Sequence, residues 1–443
     1  MYRKLLPLMF FLLATTAAHG ADENSTENLP FLESLFSRQT ATGNWHGLRN
    51  RLVDRGISIS SNYTTDIGGN PVGGIKQTAK YSGFLNLGVV LDFETIAGLK
   101  GCSLTVTNYL ASGRNLSAAI GNFYGVQEIY APGNYFFGEL DLSLSLLDET
   151  LTIETGRLFA GDVFATSPLW QYYVSGGINN NLNSMPTNIF FPSFDIAAWA
   201  ARATYQPTEA WQFIAGIYNA DTRVQKINNR GAYLSFAMDN GYLAIGQLTY
   251  KHHQSHGNEG LPGSATFGSY YQSSKVQDLT DSDKWWHGNY GYYFIADQMI
   301  YRGDWPEYAA DPEDVNPGHG RQPYFPQAAT AANRPKDLTA WAGAYVAPQE
   351  RTNSQVYQLV GGLLYQGLPP NRNRDVTAFC ILMGKFSDKL EGQDMEIVLE
   401  LNHRFQISQW FYITPDIQYV INPNGQDNID DALVLGVEIS VNF

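Results

Sequence analysis

Only two cysteines occur in the 443 residues, Cys102 and Cys380. Two thiols exclude a multiply bridged disulfide scaffold and a zinc site built from four thiolates. Beyond Ala21 the sequence has no run of about 18 consecutive apolar residues, which excludes a helical membrane span. Cationic side chains are also scarce: 28 Lys and Arg against 42 Asp and Glu leave a formal net charge of −14. Phosphate binding requires clustered Lys and Arg, so no nucleic-acid partner is expected. The sequence contains no G-x-S-x-G, H-E-x-x-H, P-loop or G-x-G-x-x-G pattern. The chain is therefore not read as an enzyme, and no cofactor or metal is implied. His252, His253 and His256 fall in a polar turn with no cysteine nearby and read as a solvated turn.

Aromatics and glycine are plentiful: 27 Tyr, 24 Phe, 9 Trp and 42 Gly. The mean hydropathy, −0.24, is that of a soluble protein. A membrane-spanning barrel reaches the same average because its apolar outward residues alternate with polar inward ones. The N-terminus carries Arg3 and Lys4, a short apolar stretch from Leu5 to Ala18, and small residues Ala18 and Gly20 before Ala21. That order is the signal-peptide pattern, so residues 1–20 are expected to be removed on export. Residues 21–55 read as a polar lead-in followed by a short periplasmic helix. Asn44 is its expected cap, Trp45, Leu48 and Leu52 share a face, and Gly56 ends it.

From Ile57 onward the dominant period is two. In the last segment Leu433, Leu435, Val437, Ile439, Val441 and Phe443 point one way. Gly436, Glu438, Ser440 and Asn442 point the other. A soluble edge strand is the alternative, but such edges are usually blunted by charge. In an outer-membrane barrel a terminal Phe443 on the lipid face is expected as the signal for the assembly machinery. The same alternation recurs at 85–93, 140–146, 395–402 and 411–419. Counting segments predicts an antiparallel transmembrane β-barrel of about 16 strands over residues 56–443. The strands are placed at 56–67, 81–93, 101–112, 136–146, 150–158, 196–206, 209–219, 241–251, 264–276, 287–302, 339–347, 355–366, 375–386, 393–405, 409–421 and 431–443. The stretch 230–238 is assigned to a loop. An even count puts both termini in the periplasm, with short turns on that side and long external loops at 113–135, 159–195 and 220–240. The long connection 303–338 breaks this rule. Cys102 and Cys380 fall on strands 3 and 13 and are expected to be free.

Several short stretches resemble the carbohydrate-selective porin family of the OprB type. They begin with Asn44-Trp-His-Gly-Leu-Arg-Asn-Arg-Leu-Val-Asp-Arg-Gly-Ile and continue with Gly69-Asn-Pro-Val-Gly-Gly, Gly156-Arg157 and Leu261-Pro-Gly. Further matches are Ala296-Asp-Gln-Met-Ile-Tyr-Arg302, Gly361-Gly-Leu-Leu-Tyr-Gln-Gly367, Pro415-Asp-Ile-Gln-Tyr-Val-Ile-Asn-Pro423 and Asp431-Ala-Leu-Val-Leu-Gly436. The order of the motifs covers nearly the whole mature chain. The resemblance implies a 16-stranded barrel among the lipids of a Gram-negative outer membrane, passing small carbohydrates such as glucose into the periplasm. Monomer and trimer both remain open. The 303–338 segment departs from the family, where a shorter connection is expected.

A sugar-conducting lumen needs hydrogen-bonding groups and aromatic faces at a narrow point. Inward parity selects Asn62, Asn86, Glu139, Asp141, Arg202, Glu400, Arg404, Asp416 and Gln418 as pore-lining candidates, with Arg157 added near the base of loop 159–195. That loop, with Trp170, Tyr172, Tyr173 and Asn179 to Asn181, is expected to fold inward and constrict the lumen. Trp285, Trp286, Tyr292 and Tyr293 are assigned to interfacial aromatic girdles. A general or other-solute porin is the nearest alternative function, and a barrel enzyme or surface-binding barrel a more distant one.

Overall fold

The period-two alternation resolves into one wall in the computed structural model, which describes residues 35–443 apart from 237–238, 255–259, 304–335 and 371. The signal peptide and most of the lead-in lie outside the described residues. Among the described residues, sixteen antiparallel strands close into a barrel, each paired with its neighbours in sequence and the last with the first. The first eight are β1 (Ile57–Val72), β2 (Ala79–Asp92), β3 (Cys102–Gly113), β4 (Tyr135–Leu146), β5 (Leu151–Leu158), β6 (Ala198–Tyr205), β7 (Trp211–Asn219) and β8 (Tyr242–His252). The rest are β9 (Gly263–Gln277), β10 (Trp285–Arg302), β11 (Asp337–Val346), β12 (Gln355–Gln366), β13 (Val376–Phe386), β14 (Met395–Gln406), β15 (Phe411–Ile421) and β16 (Ala432–Asn442). Closure removes the unpaired edges that would otherwise stay unsatisfied in lipid.

One face of each strand is apolar and open. Ile67, Leu87, Leu142, Phe294, Phe379 and Leu435 are all exposed on it, as a lipid-facing belt requires. The start of β1, the end of β16 and the short turns 147–150, 206–210 and 407–410 share one end of the barrel, as do the end of β10 and the start of β11, while most of the expected long connection 303–338 lies outside the described residues. The stretch 230–238 contributes no strand among its described residues. Cys102 and Cys380 are free and sit on β3 and β13.

The barrel seam is stapled from outside the sheet. Ala41 donates its N–H to the Asn442 carbonyl at 2.8 Å, and Phe443 donates to the Ser61 carbonyl at 2.9 Å. Arg49 stacks over Trp45 and donates Nη2 to the Phe443 carbonyl at 2.9 Å. The expected helix is shorter than its sequence pattern: α1 covers Leu48–Val53, with a separate turn at Trp45–Gly47 in which His46 has a φ of 57°. Asn44 still caps it, because its Oδ1 accepts the Asn50 N–H. Leu48 is exposed, so the three apolar residues do not form a buried face.

Candidate functional site: a lumen narrowed by two inward loops

Two of the long loops on the far end fold into the barrel rather than away from it. The segment 114–134 descends past β14, and the segment 159–197 crosses the interior. The second is seated by apolar packing. Trp170, Tyr173, Ile178, Leu182 and Met185 are buried against inward residues of β7 to β15, including Trp341, Tyr345, Cys380 and Leu382. Where the loop covers the wall, inward positions on these strands are often apolar, so both faces of a strand can be apolar. β13 shows this most fully, with Val376, Ala378, Cys380 and Leu382 all buried and inward.

Polar inward side chains tie the loops at fixed points. The Glu400 carboxylate accepts the N–H groups of Val174 and Ser175 at 2.8 and 2.9 Å and the Asn402 side-chain amide at 2.6 Å. Four residues earlier on β14, Glu396 accepts the N–H groups of Phe123 and Tyr124 at 2.7 and 2.9 Å. Gln358 holds Gly177 and Ser184, and Gln418 donates to the Val126 carbonyl at 3.0 Å. Hydrogen bonds to a charged acceptor are roughly twice as strong as neutral ones. The two glutamates are therefore the firmest of these anchors.

The space left between the loops and the wall is a cavity of about 420 Å³ bounded by β1 to β4 and β14 to β16. Asn62, Asn86, Gln127, Asn179, Arg404 and Glu438 are among its lining residues. Arg404 sits between two rings, 4.9 Å from the Tyr172 centroid and 4.0 Å from that of Tyr412. It donates Nη2 to the Gln171 carbonyl at 2.7 Å and to Glu438 at 3.3 Å. Further round the wall, past β1, lies an aromatic patch. Phe84 approaches Phe194 and Tyr109 with centroids 4.4 and 5.2 Å apart. On the inward loops, burial and then the neighbouring Glu438 hold the Glu128 carboxyl well above the usual carboxylate range. Burial likewise pushes Asp162 up to about 7, against the pull of Arg202.

The sequence-derived residues divide into three groups. Asn62, Asn86, Glu139 and Arg404 reach the cavity. Arg202, Glu400, Asp416 and Gln418 point inward but do not line it. Arg202 makes a bidentate pair with Glu154, both contacts at 2.8 Å, and donates to the Phe159 carbonyl at the base of the inward loop. Asp416 accepts the Gln418 amide at 2.9 Å. Asp141 faces inward opposite Gly156 and is buried. Parity alone cannot separate a side chain that meets solute from one that meets a loop.

Arg157 is a correction. It pairs with Leu140 and Trp199, in the same outward register as Ile153 and Thr155. The loop 220–241 folds over the outer wall there, and Arg157 donates to the carbonyls of Tyr233 and Ala197 at 3.1 and 2.6 Å. Its charge is satisfied under that loop rather than in the lumen. Tyr293 is a second correction: it points inward, is buried, and donates to Gln247 at 2.8 Å, whereas Tyr292 is exposed on the outer face. Trp285 is exposed in the same way, while Trp286 donates to Asp278 at the loop end of the barrel. His252 ends β8 and bonds Gln298, and His256 lies outside the described residues.

Sequence reasoning missed Glu396, Glu438, Gln127 and Tyr412 as site residues, while Tyr172 lies on the loop it expected to turn inward. Glu396 and Glu438 were legible as inward. Nothing in the sequence indicated which loop each would meet.

Comparison with known proteins places this arrangement. The profile of the family described as "Carbohydrate-selective porin, OprB family" matches residues 76–443. Porin B of Pseudomonas aeruginosa is 24% identical over 473 residues, covering 97% of this chain and 94% of its own. "Putative porin QuiX" of Acinetobacter baylyi is 23% identical, covering 92% and 93%. Among solved structures, the high-pH form of Pseudomonas putida OprB superposes with a TM-score of 0.78 at 24% identity, over 92% of this chain and 99% of its own.

Proposed function

The chain belongs to the carbohydrate-selective porin family, OprB, and is an outer-membrane porin, and from that footing we propose that its lumen passes small neutral sugars such as glucose, passively, into the periplasm. The observation that carries the sugar preference is the lining itself. Amide side chains of Asn62, Asn86 and Asn179 on the lining carry both donor and acceptor groups for hydroxyls. Arg404 is held flat between Tyr172 and Tyr412, so its donors keep one orientation. The patch of Phe84, Tyr109 and Phe194 supplies an apolar surface for the C–H face of a pyranose ring. A solute with hydroxyls on its edge and carbon on its face suits both walls.

The barrel and the family point to a channel rather than an enzyme. Loops 114–134 and 159–197 set the pore, with Glu396 and Glu400 acting through them as positioning residues. Phe443, at the seam and bonded to Ser61, serves as the assembly signal of the C-terminal strand in this reading. Single-channel recording in planar bilayers tests the function. Addition of glucose should reduce the ion current in a saturable way if sugar occupies the narrow region, and a current indifferent to glucose would favour a general porin.

A further inference from the structure

A row of side chains crosses the barrel seam and ends in a charge imbalance. Arg404 on β14 bonds Thr414 on β15 and Glu438 on β16, both at 3.3 Å. Glu438 stands directly opposite Asp66 on β1. Like charges opposite each other in an antiparallel pair repel. Glu128 on the inward loop adds a third carboxyl and lines the same cavity as Glu438. Asp416 and Glu400 on the adjoining strands add further negative potential at Asp66. One guanidinium thus serves several carboxyls.

Asp66 is only 2% exposed, and neither of its carboxylate oxygens has a hydrogen-bond partner among the described residues. A buried carboxylate without a donor is costly, so Asp66, set behind the cavity that Glu128 and Glu438 line, favours a cation or a strong donor close by. The loop above is fixed rather than free to supply one. Gln127 donates to the Asp66 backbone carbonyl at 3.1 Å and accepts the Leu116 N–H at 3.3 Å. Among the described residues, no three such side chains converge in a way that would hold a metal ion. An ammonium group asks for less: three donors spread over carboxylates that need not converge on one point.

We propose that Asp66, Glu128 and Glu438 form an ammonium subsite in the lumen, so that the porin conducts protonated amino sugars ahead of sugar acids. The inference rests on the reading of the lumen as a sugar path. The ring of an amino sugar would use the amide and aromatic walls already described, while its amine faces the carboxyl cluster. A sugar acid of the same size would meet repulsion from that cluster.

The experiment uses the full chain in liposomes at near-neutral pH, with glucose, glucosamine and glucuronate as probes on one pyranose scaffold. Glucosamine should enter on the order of tenfold faster than glucuronate, the lower end of what focused charge gives. In Asp66→Asn or in Glu128→Gln that ratio should fall about threefold or more, because one carboxylate of the cluster is lost. Asp66→Asn tests the wall and Glu128→Gln the loop, so failure of one variant to fold leaves the other. Equal entry of glucosamine and glucuronate into the unmodified protein overturns the inference alone, provided glucose still enters. A ratio unmoved in every variant that folds does the same. Glucose failing to enter at all overturns the sugar reading and the subsite together.

Discussion

Glu400 and Val174 are joined by a 2.8 Å hydrogen bond that runs from the barrel wall to the middle of the loop crossing the lumen. Ser175 bonds the other carboxylate oxygen, so one side chain on β14 holds two successive backbone groups in the middle of the loop. Removing it leaves two buried N–H groups without acceptors, each costing about 1–3 kcal/mol.

Glu400→Ala should therefore release loop 159–197 without dismantling the barrel. Single-channel conductance should rise and discrimination between sugars should weaken. Cys380 reports the same event chemically. It lies opposite Glu400 on β13, buried under the loop. A water-soluble maleimide should leave Cys380 unmodified in the parent protein and modify it in Glu400→Ala. Unchanged conductance with Cys380 still protected would show that Glu400 is not the anchor.

Arg404 acts at the cavity itself. Arg404→Lys keeps the charge but loses the planar stack between Tyr172 and Tyr412 and the forked donors. Sugar flux should fall severalfold in Arg404→Lys and further in Arg404→Ala, while small-ion current persists. Equal sugar flux in all three proteins would remove Arg404 from the solute path.

Arg157→Ala should leave sugar flux as it was, because Arg157 faces the outer wall. It should instead loosen loop 220–241, whose Tyr233 carbonyl it holds. Limited proteolysis would detect faster cleavage within that loop. A drop in flux with unchanged protease resistance would put Arg157 back in the lumen.

The seam staple can be tested by stability. Arg49→Ala removes the bond to the Phe443 carbonyl and the stack on Trp45. Arg49 is partly exposed, so the expected loss is about 1 kcal/mol. The barrel should lose its heat-resistant mobility on gels a few degrees earlier, and an unshifted transition would show that the staple contributes nothing measurable.

The wall was far more legible in the sequence than the interior. All sixteen strands were placed, with most boundaries within a few residues, because lipid on one side and a polar interior on the other impose period-two alternation on most of them. β1 runs on to Val72, past the expected end at Ile67, with Gly68 and Gly69 paired to both β16 and β2. β13 broke the alternation, and the structure gives the reason: Ala378, Cys380 and Leu382 meet loop rather than water. Tyr293 was misplaced because an aromatic beside another aromatic looks the same in either register. Arg157 was misplaced because its position at the base of loop 159–195, and not its strand register, put it among the candidates; its register with Leu140 and Trp199 turns it outward. Glu400 and Arg404 share a face of one strand and both touch the inward loop, yet only Arg404 also reaches the cavity. Loop placement depends on contacts distant in sequence, and no local pattern encodes it.

Liposome swelling with size-matched solutes decides whether the lumen prefers sugars. The full chain, reconstituted at known density, would be challenged with glucose, a disaccharide, a neutral amino acid and a small organic acid. A sugar-preferring lumen gives fast glucose entry, slower entry of the disaccharide, and slow entry of both non-sugars. Equal entry of glucose, amino acid and organic acid would contradict it and leave a general porin in its place.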